Sequence, residues 1–186
     1  MMKKIVLLLL IMMVAACFGN TPASRFYQLS ADASLTPLSM RRISLRVAEA
    51  EVPDYLDRPQ IVTFVADSHQ LHFAEFERWG EPFSANVSRA LADDLSLLLP
   101  KAAVRFEAVS SQDSMYVLEA EINRLDAVLG DKIQFDVWWT LSKNGTMLQR
   151  ERTQLSMPVG KSYEDLVATE SILIGRWAEK IAQKLK

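Results

Sequence analysis

The apolar positions of this chain change rhythm in a definite order: an unbroken run from Ile5 to Val14, then period-two alternation, a helical stretch, alternation again, and a helical end. Arg25 to Ser30 reads as a strand. Arg42 to Val52 sets Ile43, Leu45 and Val47 against Ser44, Arg46 and Ala48, the period of a half-buried strand. Gln60 to Ala66 follows Pro59 as another apolar-rich run, and Asp67-Ser68 turns it into Gln70 to Glu75, which predicts a hairpin. The spacing then changes. Phe83, Val87, Leu91, Leu95 and Leu98 share one face of a helix that begins near Pro82, a residue tolerated in a first turn, and stops at Pro100.

Beyond that helix, Val104 to Val109 predicts a strand and three longer ones follow: Met115 to Val128, Lys132 to Leu141 and Met147 to Met157. Gly130-Asp131 and Asn144-Gly145 join the long ones, and such dipeptides suit tight turns, so the three form an antiparallel meander. The last helix runs from Ser162 to the C-terminus. Ser162 and Asp165 form a capping box, Leu166, Leu173, Trp177, Ile181 and Leu185 form the apolar stripe, and Lys180, Lys184 and Lys186 suit the end of the dipole. Two long one-sided helices and several one-sided strands bury each other, which predicts an α+β fold: a mostly antiparallel sheet with two long helices packed on one face. Strand order has no signature in the pattern.

The first apolar run has a different meaning. It is too short to span a bilayer, which takes about 20 residues. Lys3-Lys4 precedes it and Ala15-Ala16 follows, the layout of a secretory signal. Val14-Ala15-Ala16-Cys17 resembles a lipobox, in which the thiol is acylated, the chain is cut before it, and the new amine is acylated in turn. The expected organisation is a signal peptide over 1–16, a lipidated N-terminus and spacer over 17–24, and one domain over 25–186. Two or more acyl chains hold a protein firmly, whereas one binds marginally. Asn20, Thr21, Pro22 and Ala23 make the spacer short, which keeps the domain near the bilayer. Phe18 stands where an aspartate would resemble an inner-membrane retention signal, and this favours the outer membrane with the domain facing the periplasm.

Charge and chemistry narrow the picture further. The signal holds two of the 21 basic residues and none of the 23 acidic ones, leaving 19 − 23 = −4, which argues against nucleic acid as a partner. Cys17 is the only cysteine, so the mature domain has no disulfide available. No G-x-S-x-G elbow, P-loop or H-E-x-x-H occurs, and no cofactor or metal is expected. His69 and His72 fall on opposite faces of a strand and make a poor metal pair. Glu75, Glu77 and Glu81, with His72 as helper, are the candidates for hydrolytic acid/base work. Their simpler reading is ion pairing and charge at the mouth of the Pro82 helix. Asp93-Asp94 diverge on their helix and read as a solvated face, Asp94 with a partner.

Recognition surfaces remain. Trp138 points away from Ile133, Phe135, Val137, Trp139 and Leu141, beside Gln134 and Asp136, and is a candidate contact for a partner or lipid unless a helix covers that face too. Pro53 and Pro59 bracket Tyr55, Leu56, Asp57 and Arg58 in a rigid crossover, which serves either as a docking knob or as a plug with Tyr55 and Leu56 buried and Asp57 paired to Arg58. Trp79 is expected in the core, seating the helix that Pro82 begins.

Phe26-Tyr27-Gln28-Leu29, the run Val52-Pro53-Asp54-Tyr55-Leu56-Asp57-Arg58-Pro59-Gln60-Ile61-Val62, and Phe73-Ala74-Glu75-Phe76-Glu77-Arg78-Trp79-Gly80-Glu81-Pro82-Phe83 together resemble the ABC-type transport auxiliary lipoproteins, among them the paraquat-inducible protein C branch. Gly80 and Phe83 depart from the alanine and leucine more usual there. The resemblance implies a non-enzymatic lipoprotein that accompanies MCE lipid-transport systems, docks a periplasmic MCE-domain protein at the outer membrane, and can form a homo-oligomer. From the residues themselves, the partner-binding candidates are Tyr55, Leu56, Arg58 and Trp138; Pro53, Pro59, Trp79 and Pro82 are structural; Cys17 carries the lipid. A lipid- or envelope-glycan-binding carrier is the alternative.

Overall fold

The structure, a computed structural model, describes residues 22–106 and 116–186; Cys17 lies outside them. Among the described residues the order is β1 (Arg25–Tyr27), β2 (Ser44–Val47), β3 (Gln60–Phe64), β4 (Leu71–Trp79), α1 (Phe83–Leu98), β5 (Ala103–Phe106), β6 (Tyr116–Ala127), β7 (Lys132–Lys143), β8 (Thr146–Pro158) and α2 (Tyr163–Lys184). This is an α+β fold. The strands divide into two sheets rather than one: β1-β4-β3 and β5-β2-β6-β7-β8. The long ladders β6–β7 and β7–β8 are antiparallel, and β3–β4 is antiparallel too. The short pairings β1–β4, β2–β5 and β2–β6 are parallel.

The meander forms where its turn residues allow. Asn144 (φ 50°), Gly145 (φ 76°) and Gly130 (φ 79°) take the left-handed backbone that tight turns demand. Ile133, Phe135, Val137, Trp139 and Leu141 are all buried on one face of β7, and both helical stripes are buried with them. The Phe135 and Trp177 rings meet at 5.5 Å across the interface between sheet and helix. Truncating a side chain as buried as Trp177 costs about 3–5 kcal/mol. Ser162 and Asp165 make the expected capping box, with Asp165 N–H donating to Ser162 Oγ (3.0 Å) and Ser162 N–H to Asp165 Oδ2 (3.2 Å). Lys184, placed by sequence at the helix dipole, also reaches Glu151 on β8 (2.7 Å).

Only Arg25–Tyr27 of the expected first strand pairs with a neighbour. The chain after it forms a strap held to both helices by side chains that accept from its backbone. Leu29 N–H donates to Asn86 Oδ1 (3.1 Å) on α1, Ser30 N–H to Ser171 Oγ (3.3 Å) on α2, and Asp32 N–H to Asp94 Oδ1 (2.7 Å) on α1. Leu38 and Ser39 then donate to the carbonyl of Leu98. Gly175 lets the strap lie close to α2, because a Cβ there would come within 2.9 Å of Asp32 Cβ. Asp94 is therefore fully buried under the strap, whereas the sequence places it on a solvated face. Burial pushes its carboxyl up to about 7.

Candidate functional site

Helices cover one face of the β6-β7-β8 meander; the other carries polar rows set by register. Glu119, Thr140 and Arg150 form one row, Glu121, Trp138 and Arg152 the next, and Arg124, Asp136 and Gln154 the third. Trp138 is half-buried at the centre. Its ring lies under two guanidinium groups, Arg150 at 5.3 Å and Arg152 at 6.0 Å. Those cations are also tied to carboxylates: Arg150 to Glu121 (3.6 Å) and Arg152 to Asp136, whose Oδ1 accepts from its Nε (2.8 Å). Arg152 holds the Asp136 carboxyl below the usual carboxylate range, with Gln154 assisting. Glu49, Glu51, Glu119 and Glu121 line a shallow concavity of about 280 Å³ beside Trp138. An amphipathic ring braced by charges suits recognition of another surface better than bond chemistry.

The other candidates divide. Leu56 is buried and offers no contact surface, a correction to its place among the partner-binding residues; its N–H closes a turn onto Pro53 O (2.8 Å) and so turns its side chain inward. Tyr55 is half-buried, its hydroxyl donating to Asp126 Oδ1 (3.0 Å) and its ring set edge-on to Phe64 at 6.3 Å. Burial first, then the Asp126 charge, raises the Tyr55 phenol above its ordinary range. Arg58 is exposed, its guanidinium 5.6 Å from the Phe73 ring. Asp57 is not paired with Arg58: its Oδ1 accepts from Ser84 N–H (3.2 Å), capping α1 from a distance because Pro82 has no side-chain cap to give. Pro59 O accepts from Trp79 N–H (2.7 Å), and buried Trp79 packs on Phe83 at 5.1 Å. Trp138 thus stands on one face, while Tyr55, Leu56 and Arg58 belong to the crossover.

The acidic cluster does not converge. Glu75 is exposed, buried Glu77 pairs with Arg25, and Glu81 accepts from Arg89 Nε (3.3 Å) and Gln28 Nε2 (3.1 Å). His69 and His72 are both exposed. Among the described residues no set of three or more His, Cys, Asp or Glu is placed to share a metal ion, and no helix is long and apolar enough to cross a membrane.

Two features had no reading in the sequence. One is a buried acid: Glu170 lies on the core-facing side of α2 between Leu166 and Trp177, and burial pushes it up to about 8. Its place on the i, i+3, i+4 stripe was the available signal. The other is a cleft of about 520 Å³ between the β3–β4 turn and the ends of β6 and β7. No local pattern announces it.

Comparison with known proteins fits this architecture. The fold matches the crystal structure of an uncharacterized protein with a TM-score of 0.72 at 20% identity, covering 89% of this chain and 100% of the other. It also matches that of a protein from Xanthomonas campestris with a TM-score of 0.67 at 13% identity, covering 86% and 93%. At such identities the likeness is one of fold alone. Curated proteins give no match. The family of the ABC-type transport auxiliary lipoprotein component matches residues 27–182, nearly the whole described domain. This chain, with its two helices packed on a meander and its strap across them, belongs to the ABC-type transport auxiliary lipoprotein component family.

Proposed function

We propose that this protein is a non-enzymatic outer-membrane lipoprotein that docks the periplasmic MCE-domain assembly of an intermembrane lipid-transport system. Family membership supports the transport setting. The lipobox-like Val14-Ala15-Ala16-Cys17 supports the anchor, and Phe18 in place of aspartate supports outer-membrane sorting. The observation that carries the docking role is the helix-free face of the meander, where Trp138 is held between Arg150, Arg152 and a row of glutamates. Tryptophan and arginine anchors concentrate binding energy at interfaces. Arg58 and the rim of Tyr55 extend the contact surface on the crossover.

The test is affinity purification of the lipidated full chain from cross-linked cells, followed by mass spectrometry. Recovery of an MCE-domain protein with the native chain, reduced at least about tenfold by Trp138→Ala, is the expected result; such a loss corresponds to about 1.4 kcal/mol. Recovery of phospholipid or glycan without a protein partner refutes docking and favours the carrier reading. One observation favours that second reading: the cleft beside the β3–β4 turn has the volume of a small-molecule site.

A further inference from the structure

Several surface charges are closed into ion pairs. Arg152 faces Asp136, Arg150 faces Glu121, Arg89 faces Glu81, and Lys184 faces Glu151. The cleft beside the β3–β4 turn gathers committed and uncommitted groups around one concavity. Its floor is fixed: Arg124 donates to Gln134 Oε1 (3.2 Å) and pairs with Asp126 (3.1 Å), which also accepts from Tyr55. Its rim is uncommitted. The side chains of Asp67, His69 and Lys132 are exposed and have no hydrogen bond or ion pair among the described residues. Asp67 sits in the turn itself with φ 53°. Phe64, Val65 and Val128 give the same cleft an apolar wall, and Val65 is 43% exposed.

Unspent charges of both signs around one concavity ask for a ligand that carries both. A simple anion would meet Lys132 and His69 but be repelled by Asp67 and Asp126; a simple cation would meet the reverse. A tetrahedral phosphodiester can take several donors at once, from the Lys132 ammonium and the His69 ring, while an attached ammonium reaches the carboxylates. The apolar wall beside them accommodates an uncharged remainder. The volume of about 520 Å³ is enough for such a headgroup.

We infer that this cleft binds a zwitterionic phosphodiester, phosphate toward Lys132 and His69 and ammonium toward Asp67 and Asp126, with the apolar portion against Phe64 and Val65. This deepens the carrier reading and is independent of docking through Trp138. The ligand can come from a phospholipid headgroup or from a soluble phosphodiester of the same chemistry.

Titration calorimetry on the detergent-solubilised full chain compares three probes: glycerophosphoethanolamine, glycerol 3-phosphate and ethanolamine. The zwitterion binds at least about tenfold more tightly than either probe that carries one sign of charge alone, a difference of about 1.4 kcal/mol. Asp67→Asn abolishes the advantage over glycerol 3-phosphate, Lys132→Gln abolishes that over ethanolamine, and His72→Gln, outside the cleft, changes neither. Equal binding of the three probes, no binding, or binding untouched by both cleft substitutions overturns the inference. Native mass spectrometry of the chain released from phosphatidylethanolamine nanodiscs then separates the sources. A lipid retained by the native chain and lost from the Asp67→Asn, Lys132→Gln double variant identifies a membrane lipid; calorimetric binding without retained lipid identifies a soluble phosphodiester. Either calorimetric result leaves the cross-linking test of docking standing on its own.

Discussion

Replacing Glu170 with glutamine should flatten the dependence of stability on pH. Glu170 is 4% exposed among core residues of α2, and its Oε2 has no hydrogen-bond partner. Burial alone raises its carboxyl from an ordinary 4.5 to about 8. A folded-state value above the unfolded one means that the native protein binds the proton more tightly. The stability this group contributes is fully present below pH 4.5 and is lost as pH rises through 8. The displacement corresponds to about 5 kcal/mol against the ionised form, of which roughly 3 kcal/mol falls between pH 5 and pH 8. Glutamine has nearly the same shape and no charge to desolvate. Urea denaturation of both full-length chains at pH 5, 6, 7 and 8 should show Glu170→Gln within about 1 kcal/mol of the native chain at pH 5 and about 3 kcal/mol more stable at pH 8. Parallel profiles for the two chains would refute the reasoning, because the desolvated carboxyl would then not be the group that titrates. Asp94, pushed up to about 7 by the same cause, contributes a residual slope at lower pH in both chains.

The other predictions probe separate links. Gly175→Val should lift the strap from α2, since even a Cβ comes within 2.9 Å of Asp32; a loss of about 1–3 kcal/mol and faster amide exchange at Leu29, Ser30 and Asp32 are expected, and unchanged exchange would count against close packing there. Asp57→Ala removes the remote cap on Ser84 and should cost about 1 kcal/mol in thermal or urea unfolding; a neutral result would mean that water caps α1 equally well. Cys17→Ser should release the protein from the membrane fraction while circular dichroism of the released domain stays native, because the core of the described residues is built from Leu29 onward; loss of folding would contradict that separation.

What could be read in advance follows from the range of each interaction. Helical stripes, the capping box and the turns at Gly130 and Asn144-Gly145 are set by residues within a few positions of each other, so α1, α2 and the meander were legible. Trp138 could be assigned to the face opposite Trp139 by parity alone. Its guanidinium neighbours could not, because they depend on the register that brings Arg152 opposite it on β8. The division into two sheets was hidden for the same reason: β1 pairs with β4 and β2 with β5 across long stretches of chain, and parallel neighbours leave no turn between them to read. Asp57 looked like a partner for the adjacent Arg58, yet the orphan amide at the start of α1 claims it. Asp94 was misplaced because a strap without periodicity covers it. The cleft under the β3–β4 turn arises from how one hairpin sits over another sheet, which no window of sequence contains.

The strap also sets an order of events. Ser30 reaches Ser171, which is 141 positions later in the chain. A chain that emerges N-terminus first can pair β1 with β4 once residue 79 is available and lay the strap on α1 once residue 98 is, but the Ser30 to Ser171 bond and the packing at Gly175 wait for α2. The strap is thus among the first residues to be made and among the last to close fully. Until that closing step, the side of the strap that meets α2 at Ser30 and Asp32 stands open.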